Sequence, residues 1–130
     1  MMARRVLVTE DDREIRLALT DMLELSGYEV RTAAHGLAAL AVLDSWRPDA
    51  IVLDLLMPEM DGSTFLVALR ERGRDDIPVL LLSALRDLAT RATKLPVAAI
   101  VAKPFDMDDL LGALEKFWEE GRDWDEVRPP

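Results

Sequence analysis

Val6-Leu7-Val8-Thr9-Glu10-Asp11 is an unbroken apolar run that stops on two carboxylates. The pattern returns three times. Ala50-Ile51-Val52-Leu53 runs into Asp54, Val79-Leu80-Leu81-Leu82 into Ser83, and Ile100-Val101-Ala102 into Lys103. None of these runs alternates apolar with polar residues, so each reads as a strand covered on both faces, and such strands belong to a parallel sheet. Parallel strands end at one edge. The polar side chains then emerge together at the carboxyl edge, where open α/β sheets bind ligands. An acidic cluster with a hydroxyl and an ammonium beside it can bind a hard cation and an anionic group together.

Helical patterns separate the runs. After a strand over 4–9, residues 12–26 carry Ile15, Leu19, Met22 and Leu23 on one stripe, with Gly27 at the stop position. A short strand over 28–32 follows. Leu37, Leu40, Ala41 and Leu43 then mark a helix ending near Trp46-Arg47-Pro48. Beyond the strand over 50–54, Pro58 and Gly62 punctuate a loop, and Phe65, Leu66 and Leu69 mark a helix closed by Gly73. A strand over 77–82, a short helix over 87–95 stopped by Pro96, and a strand over 97–102 complete the alternation. Asp106 can cap a last helix with Leu110, Leu111, Leu114 and Phe117, and Gly121 follows it. The expected fold is α/β: five parallel strands, doubly wound, with helices on both faces.

Composition bounds the rest. A chain of 130 residues, half of them hydrophobic, fits one ordered domain. That domain is expected over 1–121, with 122–130 a charged tail or the start of a linker. The absence of cysteine removes disulfides, thiolate metal sites and a thiol nucleophile. A net charge of −9 argues against direct nucleic-acid contact, which needs a basic face. No apolar stretch reaches membrane-span length, and five residues before the first apolar run are too few for a signal peptide, so a cytoplasmic protein is expected.

Four motifs, Val-Leu-Val-Thr-Glu-Asp-Asp (6–12), Ile-Val-Leu-Asp-Leu-Leu-Met-Pro-Glu-Met-Asp-Gly (51–62), Leu-Leu-Ser-Ala (81–84) and Ala-Lys-Pro-Phe (102–105), stand in order, each at a strand end. Over about residues 5–120 the chain resembles a response-regulator receiver domain, the phosphoryl-accepting half of a two-component signalling pair. The resemblance implies the flavodoxin-like strand order 2-1-3-4-5, for which a member of this family is a standing example. It implies Asp54 as phospho-acceptor, Mg²⁺ held by Glu10, Asp11, Asp54 and the backbone carbonyl of Leu56, Lys103 paired with Asp54 and then with the phosphoryl group, and Ser83 as a switch hydroxyl. The Lys103-Pro104 bond resembles one that is cis in the family. Without the ion, the clustered carboxylates are expected to have raised pKa values. Implied partners are a sensor histidine kinase or phosphotransfer protein and a downstream effector, with a homodimer possible. They meet a surface built from the predicted fourth helix, fifth strand and last helix. The domain assists only its own phosphorylation and dephosphorylation, so it is not a classical enzyme.

Each residue also has a simpler reading. Glu10, Asp11 and Asp12 suit a helix start, where carboxylates favour the macrodipole. Asp54 could cap a turn, Ser83 could be a loop hydroxyl, and Lys103 a solvated charge. Together these readings need five coincidences. His35 and Asp61-Gly62 read as turn or cap residues. Trp118 and Trp124 read as packing of the last helix and tail rather than a docking surface.

Three departures from the family pattern stand out. Ile100 occupies the position three before the lysine where the family usually carries Tyr or Phe, so no ring can rotate there. The segment from Ser83 to Lys103 is short and lacks the usual Gly before the fifth strand. Leu56 and Leu85 stand where family members often place polar groups that orient hydrolytic water. A receiver-like interaction module without phosphoryl switching is therefore the second hypothesis. A magnesium-dependent phosphatase is weaker, because Leu56 stands where that class places its second acid. A flavin protein is weaker still, because the first strand-helix turn is acidic where a phosphate would sit.

Overall fold

The computed structural model describes residues 3–55, 60–84 and 95–119. The apolar runs pair as β1 (Arg5–Thr9), β2 (Glu29–Ala33), β3 (Ala50–Asp54), β4 (Val79–Ala84) and β5 (Ala99–Lys103). Every pairing is parallel, and the order is β2-β1-β3-β4-β5, as expected. Among the described residues the helices are α1 (Arg13–Leu25), α2 (Gly36–Leu43), α3 (Gly62–Glu71) and α4 (Met107–Glu119). None of them is long and apolar enough to cross a membrane. The predicted helix over 87–95, Leu56, Leu85, Trp124 and the tail over 122–130 lie outside the described residues.

Strand side chains alternate between faces, so the sheet divides the core in two. Leu7, Ile51, Leu53, Val79 and Leu81 pack with Ala39, Leu40 and Leu43 of α2 and Phe65, Leu66 and Leu69 of α3. Val6, Val8, Val52, Leu80, Leu82 and Val101 pack on the other face with Leu19 and Leu23 of α1 and Leu110 and Leu114 of α4. Burial on both faces is why these strands carry no polar alternation.

The helix starts follow their capping residues. Asp12 accepts from Ile15 N–H at 3.0 Å, His35 Nδ1 from Ala38 N–H at 3.1 Å, Asp61 from Thr64 N–H at 2.9 Å and Asp106 from Asp109 N–H at 2.9 Å. Gly27 and Gly73 take positive φ after α1 and α3, where a residue with a Cβ would be strained.

Several boundaries and burials differ from the sequence reading. Strand β4 starts at Val79 because Pro78 has no N–H for the ladder. Both β4 and β5 run further than expected, because Ser83 pairs with Ala102 and Ala84 with Lys103. Helix α2 stops at Leu43, and a turn then brings Trp46 into the core beneath the Arg5 and Arg31 guanidiniums. Ile15 and Leu37 are exposed and Ala41 faces solvent, while Ala39 is buried in place of the latter two. Trp118 packs as expected: its indole N–H donates to the Tyr28 hydroxyl at 2.9 Å, and the Arg4 guanidinium lies 4.4 Å from its ring centre.

At Gly62 two backbones approach closely. A Cβ there would meet Leu55 Cα, Cδ1 and O at 3.2 Å each. The Leu55 backbone cannot retreat, because its N–H donates to Leu82 O at 3.0 Å and its carbonyl accepts from Gly62 N–H at 2.8 Å. Gly62→Ala is therefore expected to lower stability by about 1–3 kcal/mol despite its better helix propensity. Urea unfolding of the variant beside the parent measures this.

Candidate functional site

The sheet register assembles the site. Thr9 stands opposite Leu53, and Asp54 opposite Leu82, which pairs with Val101. Glu10 continues the face of Val8, Asp54 that of Val52, and Lys103 that of Val101. The three side chains thus leave one face of the sheet at its carboxyl edge. Lys103 Nζ lies 3.1 Å from Asp54 Oδ2 and 3.8 Å from Glu10 Oε2. Glu10 is 1% exposed and Asp54 is 5% exposed, whereas Asp11 faces solvent. Oxygens of Glu10, Asp11 and Asp54 all lie within 4.8 Å of one another.

Ser83 is placed differently. It is buried within β4 on the face of Leu81, and its Oγ donates to the Ala84 carbonyl at 3.2 Å. Its hydroxyl thus starts from the opposite face of the sheet to Asp54. Asp12, the third acid of the run, is a helix cap, so the helix-start reading applies to that residue. His35 is likewise a cap and is not among the clustered ligand residues. The Lys103-Pro104 bond is cis, as the resemblance implies. The Leu56 carbonyl lies outside the described residues.

Burial and the neighbouring Asp54 carboxylate push the Glu10 carboxyl up to about 7, against a partial opposing pull from Lys103. Its Oε2 is buried and accepts no hydrogen bond. Three carboxylate oxygens in close array, from two buried acids and one solvent-facing acid, suit a hard divalent cation. The ammonium beside them suits an anion at the same place. One contributor escaped the sequence reading. Arg16 donates from α1 to the carbonyls of Glu10 and Asp11, and its sequence signal is faint, a basic residue one turn into the helix after an acidic run.

With this arrangement in view, the class of protein follows. Residues 6–115 match the response regulator receiver domain, and the chain belongs to that family. It is 40% identical over 115 residues to the response regulator MprA of Mycobacterium tuberculosis, covering 87% of this chain and 50% of that protein. The chain thus spans about half the length of the curated relatives it matches. The chemotaxis response regulator CheY4 of Vibrio cholerae superposes with a TM-score of 0.82 at 31% identity, covering 88% of this chain and 98% of that one. The receiver domain of sensor histidine kinase PA1611 of Pseudomonas aeruginosa, solved with a magnesium ion coordinated in its active-site cleft, superposes with a TM-score of 0.80 at 25% identity, covering 88% and 97%. The family is one of two-component signalling domains.

The raised carboxyl has a consequence for stability. Because Glu10 holds its proton up to about pH 7 in the folded chain and only to about 4.5 unfolded, the folded state binds more protons in between. Its contribution to stability is fully present below pH 4.5 and lost as pH rises to about 7. The slope is at most roughly 1.4 kcal/mol per pH unit. Melting in EDTA across that range is expected to show a decline that Glu10→Gln flattens.

Proposed function

We propose that this chain accepts a phosphoryl group on Asp54 from the phosphohistidine of a sensor histidine kinase or phosphotransfer protein in the cytoplasm, and passes the signal to an effector by protein contact. The observation that carries this reading is the Lys103 ammonium 3.1 Å from Asp54 Oδ2 beside the acidic trio. A buried carboxylate with one ammonium partner is aimed and kept from roaming, which is most of what phosphoryl transfer asks of a protein. An Asp54 oxygen attacks phosphorus, the bond from phosphorus to the donor imidazole nitrogen breaks, and that nitrogen leaves with the electron pair.

Glu10, Asp11, Asp54 and the Leu56 carbonyl would hold Mg²⁺ at this place. When bound, Mg²⁺ supplies positive charge to the phosphoryl oxygens. The Lys103 ammonium loses its carboxylate partner as Asp54 becomes an acyl phosphate, and turns to a phosphoryl oxygen. The Ser83 hydroxyl donates to another, which requires it to leave the Ala84 carbonyl. Solvent access to Asp11 and the partial exposure of Lys103 support entry from the carboxyl edge.

The test is intact-mass spectrometry after incubation with Mg²⁺ and acetyl phosphate. One added phosphoryl group is expected in the parent and none in Asp54→Asn or in EDTA. Lys103→Ala is expected to slow the addition roughly a hundredfold, the scale of losing one preorganised charge partner. No addition to the parent, with Mg²⁺ binding shown separately, would leave the second reading, an interaction module without phosphoryl switching. Ile100 favours that reading, since an aliphatic side chain packed against the α2–α3 core has no ring to turn.

By the family resemblance, Leu56 and Leu85 occupy sequence positions where polar groups often orient hydrolytic water, and a leucine at either position supplies no such group. The phospho-state is expected to be long-lived, and Leu56→Asn to shorten it. Rapid decay of labelled parent protein, unchanged by that substitution, would contradict this.

A further inference from the structure

Arg16 stands one turn into α1, and its side chain folds back over the acidic turn. Its Nη1 donates to the Glu10 carbonyl at 2.9 Å and to the Asp11 carbonyl at 3.3 Å. These carbonyls belong to the two residues that carry the acidic pair. They lie past the end of β1 and ahead of the bond from Arg16 N–H to Asp12 O at 2.9 Å. The guanidinium supplies a donor to both, in a part-buried bond to the Glu10 carbonyl and a solvent-facing bond to the Asp11 carbonyl. The rest of the turn is tied on either side, by Glu10 N–H to Ala33 O at 3.1 Å and by the Asp12 cap on Ile15. Arg16 joins the two successive peptides between those ties.

We propose that Arg16 is a positioning residue that fixes the turn carrying the Glu10 and Asp11 carboxylates, and so favours the geometrically demanding Mg²⁺ over Ca²⁺. The proposal rests on the metal reading above. Mg²⁺ demands near-ideal geometry at about 2.0–2.1 Å, while Ca²⁺ accepts more ligands at looser distances. A turn free to relax therefore loses more for Mg²⁺ than for Ca²⁺. The sign of the effect separates positioning from charge. A guanidinium acting only through its charge repels a cation, so its removal would tighten binding. A guanidinium acting through its hydrogen bonds fixes the ligands, so its removal weakens binding.

The experiment is calorimetric titration of Mg²⁺ and, separately, of Ca²⁺ into the parent, Arg16→Met and Arg16→Lys, each shown folded by circular dichroism at the working temperature. Arg16→Met keeps the apolar stem. It is expected to weaken Mg²⁺ about tenfold or more, the usual cost of losing a group that orients a metal ligand, and to weaken Ca²⁺ less. Arg16→Lys keeps the charge but not the rigid fork, and is expected to weaken Mg²⁺ measurably but less than Arg16→Met does. Unchanged or tighter Mg²⁺ binding in Arg16→Met overturns the proposal, as does an equal loss for both ions. Should Arg16→Met not fold, Arg16→Lys decides: weaker Mg²⁺ binding supports the proposal and parental affinity overturns it. A parent that binds neither ion overturns the metal reading, and this inference with it.

Discussion

Two carboxylates, Asp54 and Glu10, are buried side by side at the end of a parallel sheet, and the Lys103 ammonium is what makes that arrangement bearable. An uncompensated buried charge costs several kcal/mol, and two like charges cost more. The chain meets this with one cation shared between two acids and one proton held tightly by Glu10 up to near neutral pH. A cation bound beside these acids would add the positive charge the cluster is short of above neutral pH, whereas a phosphoryl group on Asp54 would replace one negative charge with about two and lean harder on the same ammonium. Much of the carboxyl edge serves this cluster: β3 and β5 end on Asp54 and Lys103, Glu10 directly follows β1, and Arg16 steadies the turn that carries Glu10 and Asp11.

The sheet was legible because its signal is redundant. Four uninterrupted apolar runs, each ending on a polar residue of useful chemistry, admit few arrangements other than a parallel sheet with a site at one edge. Glu10, Asp11, Asp54 and Lys103 could be named for that reason, and the register brings them together. Periodicity fails where it is asked which part of a helix is covered. Ile15 and Leu37 fit helical stripes, but a stripe says nothing of what lies against it, and both are exposed. The ends of β4 and β5 were misplaced because pairing with a neighbour, rather than the residue itself, extends a strand through Ser83 and Lys103. Arg16 was missed for a related reason: its role depends on a side chain reaching backward to carbonyls, and backbone acceptors carry no residue-type signal.

Ser83 and Asp54 face opposite halves of the core. The sheet separates the α2–α3 cluster from the α1–α4 cluster, and the proposed site draws on both sides of that partition. Ile100 belongs to the first cluster and Val101 to the second, in adjacent positions of one strand. A change at the carboxyl edge that moves Ser83 therefore touches a different set of core contacts from one that moves Lys103.

The indole of Trp118 also bears on how motion at that edge would be carried. Helix α4 begins four residues after Lys103 and ends against Tyr28 and Arg4, just before β2 and β1 begin. It thus runs the height of the domain, about 20 Å for 13 residues, with its far end pinned. Leu110 and Leu114 hold the helix to the sheet along its length, so a nudge at one end is carried by the whole rod rather than absorbed locally. A displacement of about 1 Å near Lys103 would tilt such a rod by roughly 3°, with Trp118 as its fulcrum.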